Sequence, residues 1–190
     1  LLAAPGFRLF AAVAALSSAT FFAFIGGAPF VSEIILELTP TVYGAWFALI
    51  ALGYSTGNFI SARFAERAGI TRLIIAGGSL LVAPSLLMLV LFGAGFASAP
   101  SLFIPMFFIG IANGLCMPSA IAGAISIRPD IAGAASGLTG SLQTGIGAAV
   151  SALTGALLAG GLSAMPLLYI MTLAASLTLG SALLIRRAGL

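Results

Sequence analysis

The sequence predicts an all-α membrane protein of six transmembrane helices, arranged as two three-helix repeats. Three observations carry that expectation. Hydrophobic residues fill 61% of the 190 positions and charged residues only 6%, whereas a soluble domain is roughly half apolar and about a quarter charged. The mean hydropathy is +1.24. The few charges and the Gly/Pro clusters fall between apolar stretches of about 20–27 residues, and crossing a bilayer takes about 20.

This composition excludes a soluble enzyme, a nucleic-acid binder and a disordered chain. The chain has no His, so Ser-His and Cys-His catalysis and His-ligated metals are ruled out. Cys116 is the single cysteine, which rules out an intrachain disulfide or a thiolate cluster. No catalytic residue, metal or cofactor is therefore expected. There is no Lys, and the seven cations are all Arg. With so few charges, the pI of 9.8 describes membrane topology rather than affinity for nucleic acid. The opening Leu1-Leu2-Ala3-Ala4-Pro5 has neither an initiator Met nor a basic leader. It does not read as a signal peptide, and a piece of a longer chain is expected.

The first predicted helix covers Leu9 to Val31, and Glu33 and Glu37 follow in the segment Ser32 to Pro40. The second covers Val42 to Ala62, with Arg63, Glu66, Arg67 and Arg72 in the loop beyond it. The third covers Leu73 to Gly95, and Phe96 to Pro100 turn the chain. The fourth covers Leu102 to Ile125, followed by Arg128, Pro129 and Asp130. The fifth covers Ala132 to Leu158, and the sixth covers Met165 to Ile185 before Arg186 and Arg187. With this count, all seven arginines fall on one side. The positive-inside rule makes that side cytoplasmic, with both termini inside and Glu33 and Glu37 outside. A cell membrane, the inner membrane of a bacterium, is the expected location.

No charge lies deep in any predicted span, which leaves no midplane carboxylate for a proton relay and no arginine series for a voltage sensor. The third and sixth helices are rich in Leu, Ile, Met and Val and suit lipid-facing positions. The first and fourth differ. Ser17, Phe21, Phe24 and Ala28 follow one helix face, with Ser18 and Thr20 nearby and Gly26-Gly27-Ala28-Pro29 beyond. Met106, Gly110, Asn113 and Met117 follow the same spacing, with Asn113-Gly114 and Met117-Pro118 interrupting the run. Paired Gly/Pro interruptions at corresponding places in two triplets point to a transporter binding site. Gly and Pro are also common in membrane helices, where neighbours satisfy the freed backbone groups. Packing therefore remains the competing reading for each residue taken singly.

The fifth helix carries Gly133, Gly137, Gly140, Gly145, Gly147 and Gly155. Gly133-xxx-Gly137 lets backbones approach closely, and the second helix, with Gly44, Gly53 and Gly57, is the candidate partner. The only carboxamides are Asn58, Asn113 and Gln143, all within predicted spans. Asn113 and Gln143 fall near mid-depth and either bond to another helix or meet substrate, while Asn58 reads as structural. In the loop, Gly69 suits a left-handed turn. Glu66 either pairs with Arg67 or Arg128 or simply sits among topology-anchoring arginines. Asp130 is placed to cap the fifth helix.

Three stretches resemble a known family. Phe21-Phe22-Ala23-Phe24-Ile25-Gly26-Gly27-Ala28-Pro29-Phe30-Val31 resembles the seventh helix of the bicyclomycin/chloramphenicol-resistance branch of drug:proton antiporters, within the major facilitator superfamily. Ala62 to Arg72 resembles a degraded copy of that superfamily's cytoplasmic loop signature. Glu66, Arg67 and Gly69 match its acid, arginine and glycine, while Ala62 replaces the leading glycine and Ile70-Thr71 replace the basic pair. Pro129 to Leu138, followed by Gly145-Ile146-Gly147-Ala148, resembles the branch's eleventh helix and is the most specific match.

The resemblance implies one half of the major facilitator fold, helices seven to twelve. The first and fourth helices would line the cavity, the second and fifth would meet the other half, and the third and sixth would face lipid. It implies efflux of amphipathic small molecules, with protons carried by carboxylates of the N-terminal half, which is absent from this sequence. The substrate cavity would then hold Ser17, Thr20, Phe21, Phe24, Met106, Gly110, Asn113, Met117 and Gln143. The alternatives are an uptake carrier of the same fold, or a self-contained six-helix subunit acting as a dimer. The partners expected are a small-molecule substrate, protons, the lipid bilayer and the missing half, with no nucleic acid.

Overall fold

A computed structural model describes residues 1–189 as six long helices, with no strand among them. They are α1 (Pro5–Phe30), α2 (Pro40–Ala68), α3 (Ile70–Gly93), α4 (Ala99–Ser126), α5 (Ala132–Leu158) and α6 (Met165–Arg187). A π-helical turn, Val31–Ile35, extends α1, and a 3-10 turn, Pro129–Ile131, precedes α5. Proline in the first turn starts α1, α2, α4 and α6, where its missing N–H costs nothing. Thr39 caps α2 by accepting from the Val42 N–H. Ser98 and Ser101 form a reciprocal capping box on α4.

The stretch Arg63 to Arg72 is not the loop that its charges suggest. Arg63 to Ala68 continue α2, because Arg, Ala and Glu are good helix formers. Gly69 alone breaks the chain, at φ 83° and ψ 149°, a conformation that residues with a Cβ rarely adopt. The proline interruptions do not break helices either. α4 passes through Pro105 and Pro118, and α1 passes through Pro29 before its π turn.

Five helices are long and apolar enough to cross a membrane, which makes the chain a multi-pass membrane protein. Six were expected. The exception is α2, whose 29 residues reach about 43 Å. Its apolar run is diluted by Tyr43, Gly44 and Trp46, and by Gly53-Tyr54-Ser55-Thr56-Gly57-Asn58.

Close contacts fix the direction of every helix. On α2 and α4, Gly53 meets Phe107, Gly57 meets Ile111, and Ser61 faces Ser119 at 3.3 Å, so these two run parallel. On α1 and α5, Phe22 meets Gly147 and Gly26 meets Ser151, again in parallel. α1 and α4 are antiparallel, through Phe10 on Gly123 and Thr20 on Asn113. α3 opposes both α4 (Gly77 on Ala112 and Cys116) and α6 (Gly78 on Leu179, Ser85 on Thr172). These directions bring Arg8, Arg63, Arg67, Arg72, Arg128, Arg186 and Arg187 to one end of the bundle.

α1 and α4 form the centre, packed on each other and flanked by α5 and α6 on one side and α2 and α3 on the other. Phe7, Phe24, Phe103, Met106, Ile109 and Leu167 are fully buried there. α2 buries only Ile50, Gly53, Gly57 and Ser61. α5 buries only Ala135, Thr139, Gly147, Thr154 and Leu158.

The expected pairing of α2 with α5 is corrected: α2 packs on α4, and α5 packs on α1. Gly53 and Gly57 of α2 find their counterparts in Gly110 and Gly114, while Gly44 faces open space. A Cβ at Gly114 would sit 2.6 Å from both the Asn58 nitrogen and the Tyr54 carbonyl oxygen. A Cβ on Gly133, Gly137 or Gly140 would meet nothing within 4 Å, so these three make no close helix contact within the chain.

Candidate functional site

A cavity of about 360 Å³ opens between α1, α2 and α4. α1 contributes Ser18, Phe21 and Phe22; α2 contributes Phe47, Ile50, Ala51 and Tyr54; α4 contributes Gly110, Asn113 and Met117. On each helix these residues recur at three- or four-residue intervals, so each helix turns one face inward. The wall is apolar and aromatic and holds no charged residue. Phe47 is braced by Phe24 and Phe21, with ring centroids 6.4 Å away in both cases. Tyr43, Trp46 and Phe103 continue this aromatic cluster toward the arginine-free end.

Asn113 sits at the middle of α4 and is 3% exposed. Its Nδ2 donates to Thr20 Oγ1 on α1 at 3.4 Å, a long bond. The Thr20 hydroxyl spends its own proton on the Ser17 carbonyl at 2.6 Å. Only lone pairs of Thr20 remain to face Asn113, which orients the carboxamide with nitrogen toward Thr20. Asn113 Oδ1 is left buried without a partner. An unsatisfied buried acceptor costs about 1–3 kcal/mol. Ser18 is committed to the Ala14 carbonyl at 2.7 Å.

The expected cavity residues divide into three groups. Phe21, Gly110, Asn113 and Met117 line the cavity. Ser17, Thr20, Phe24 and Met106 are fully buried behind it: the first two orient Asn113, Phe24 supports Phe47, and Met106 fills the core. Gln143 does not line the cavity. It is half-buried on α5 with Nε2 unpartnered, and the α1–α5 register sets it level with Ser18. Asn58 donates to the Tyr54 carbonyl of its own helix. The sequence reading missed the α2 wall, although Tyr43, Phe47, Ile50 and Tyr54 follow one helix stripe.

At the arginine end, Glu66, Arg67, Gly69 and Arg72 are exposed. The one ion pair among the described residues is Arg128–Asp130, bidentate at 2.9 and 2.7 Å. It raises the Arg128 guanidinium above its usual range. One expectation is corrected by it. Asp130 turns back to Arg128 two residues away, so α5 starts without a side-chain cap. Of the two readings of Glu66, the one without an ion pair agrees with the structure, where among the described residues it pairs with neither Arg67 nor Arg128.

Comparison with known protein families, curated proteins and solved structures finds no match to this chain. Fold and site together define a class: a multi-pass helical membrane protein with an apolar cavity at mid-depth.

Proposed function

We propose that this chain is the C-terminal half of a major-facilitator-type transporter that exports small amphipathic molecules by alternating access. The observation that carries the proposal is the cavity between α1, α2 and α4, which has an aromatic wall and one unpartnered amide oxygen at the middle of α4.

Helix packing supports the same assignment. Exchanging α1, α2 and α3 for α4, α5 and α6 turns the α2–α4 contact into α5–α1, and α3–α4 into α6–α1. The α1–α4 and α3–α6 contacts map onto themselves. A three-helix inverted repeat would produce such a pattern, which supports the proposal. The open face of α5, with Gly133, Gly137 and Gly140, offers a small-residue surface to a second half, and that of α2 offers the exposed Leu52 and Phe59. The arginine end is cytoplasmic by the positive-inside rule, with both termini inside and the chain in a bacterial inner membrane.

The cavity chemistry favours efflux over uptake of sugars or anions. One amide and an apolar wall suit ligands that partition from the bilayer, and Met117 repacks around differing shapes. Among the described residues no carboxylate is buried in the bundle. On this proposal, proton coupling would rest with carboxylates of the other half.

The test is accumulation of a fluorescent amphipathic dye in cells expressing the intact protein or its Asn113→Ala variant. Wild type is expected to lower dye retention, with a protonophore abolishing the effect and the variant weakening it. Retention indifferent to wild-type expression across a panel of such dyes would overturn the proposal.

A further inference from the structure

We propose that the groove between the start of α3 and the end of α6 binds the phosphate of an anionic phospholipid. Thr71, Arg72, Ile75, Ala76 and Arg186 line it, around a volume of about 570 Å³. Two arginines, one from each helix, line a single opening. Among the described residues neither arginine pairs with a carboxylate, the one ion pair there being Arg128–Asp130. The first turn of α3 has no side-chain cap, so the positive end of its dipole adds to the field at the same place. Arginine suits this role because its planar fork matches phosphate oxygens in pairs.

The surroundings select a lipid over a free ion. The groove lies at the arginine-bearing end, the depth at which headgroups meet a membrane protein. It is walled by Ile75 and Ala76, and Gly78 on Leu179 and Ser85 on Thr172 carry the same α3–α6 seam toward the other end. Leu86, Leu87 and Val90 on α3, and Leu173 and Leu177 on α6, stand exposed along these two helices. A diacyl lipid would thus have apolar surface for its chains beneath two charges for its phosphate. Basic pockets between membrane helices on the cytoplasmic side hold acidic headgroups by this chemistry. The inference does not depend on transport, only on the helices lying in a bilayer.

The test is native mass spectrometry of the intact detergent-purified protein, titrated with phosphatidylglycerol or with phosphatidylcholine of matched chains. Inorganic phosphate serves as a competitor. Phosphatidylglycerol should bind in preference, and Arg72→Gln and Arg186→Gln should each weaken it about fivefold. Arg187→Gln is the control. Arg187 lies at the same end but lines a separate groove with Leu183 and Leu184, so its loss should change binding less than twofold. All three arginines are exposed, so the substitutions leave the fold intact. Equal losses for Arg187→Gln and Arg72→Gln would mean a diffuse surface field and overturn the site. Equal binding of the two lipids would overturn phosphate recognition. Displacement of phosphatidylglycerol by millimolar inorganic phosphate would assign the groove to a free anion instead.

Discussion

Gly114→Ala should be among the most damaging single-methyl additions in this protein. The new Cβ would lie 2.6 Å from the Tyr54 carbonyl oxygen and the Asn58 nitrogen, and 2.7 Å from the Gly57 carbonyl carbon. All three are backbone atoms of α2, so no side chain can rotate away. Restoring ordinary contact requires α2 and α4 to part by about 1 Å, and a gap of 0.5–1 Å already forfeits a quarter to a half of each dispersion contact. Overpacking of this kind costs about 1–3 kcal/mol. Gly180→Ala on α6 is the matched control. It is exposed with nothing within 4 Å, and replacing a helical glycine by alanine gains up to about 1 kcal/mol. Thermal unfolding in detergent should therefore move the two variants in opposite directions, with Gly114→Ala lowering the midpoint by several degrees. Gly114→Ala as stable as Gly180→Ala would refute the close α2–α4 approach and the cavity wall built on it.

Asn113→Leu should leave stability nearly unchanged. It removes one long hydrogen bond, worth about 0.6 kcal/mol in membranes, together with a buried acceptor that has no partner. On the transport proposal it should weaken export of donor-bearing substrates more than of substrates lacking a donor, as paired efflux assays would show. Gly69→Ala forces a Cβ into a conformation with φ 83° and should cost about 1–3 kcal/mol in a thermal melt, although open space surrounds the site. Cys116 is fully buried against Gly77 and the Ile74 carbonyl. A maleimide should not label it in the folded protein and should label it fully after denaturation, a difference readable by mass.

Helices were legible where chemistry repeats along the chain. Apolar stretches ended by arginines marked the helices, and Gly69 announced its own backbone conformation. Partners were less legible. A glycine pair states that something comes close but not what, so Gly53 and Gly57 found α4 while Gly133 and Gly137 found nothing within the chain. Charge misled twice. Arg63 to Ala68 read as a loop because charges end spans, yet their helix propensity carries α2 onward. Asp130 read as a cap, yet an arginine two residues away is the stronger partner. Within the cavity, Phe21, Gly110, Asn113 and Met117 were visible on two faces. The α2 wall was not, because its Gly, Ser and Thr content drew attention to packing instead.

The most direct test of the account is flux through the intact protein reconstituted in proteoliposomes under an imposed pH gradient. A fluorescent amphipathic substrate should move against the direction of proton flow, and Phe47→Ala and Asn113→Ala should slow it while Gly180→Ala leaves it unchanged. Flux that ignores the gradient, or that responds equally to all three substitutions, would contradict a proton-coupled transporter working through this cavity.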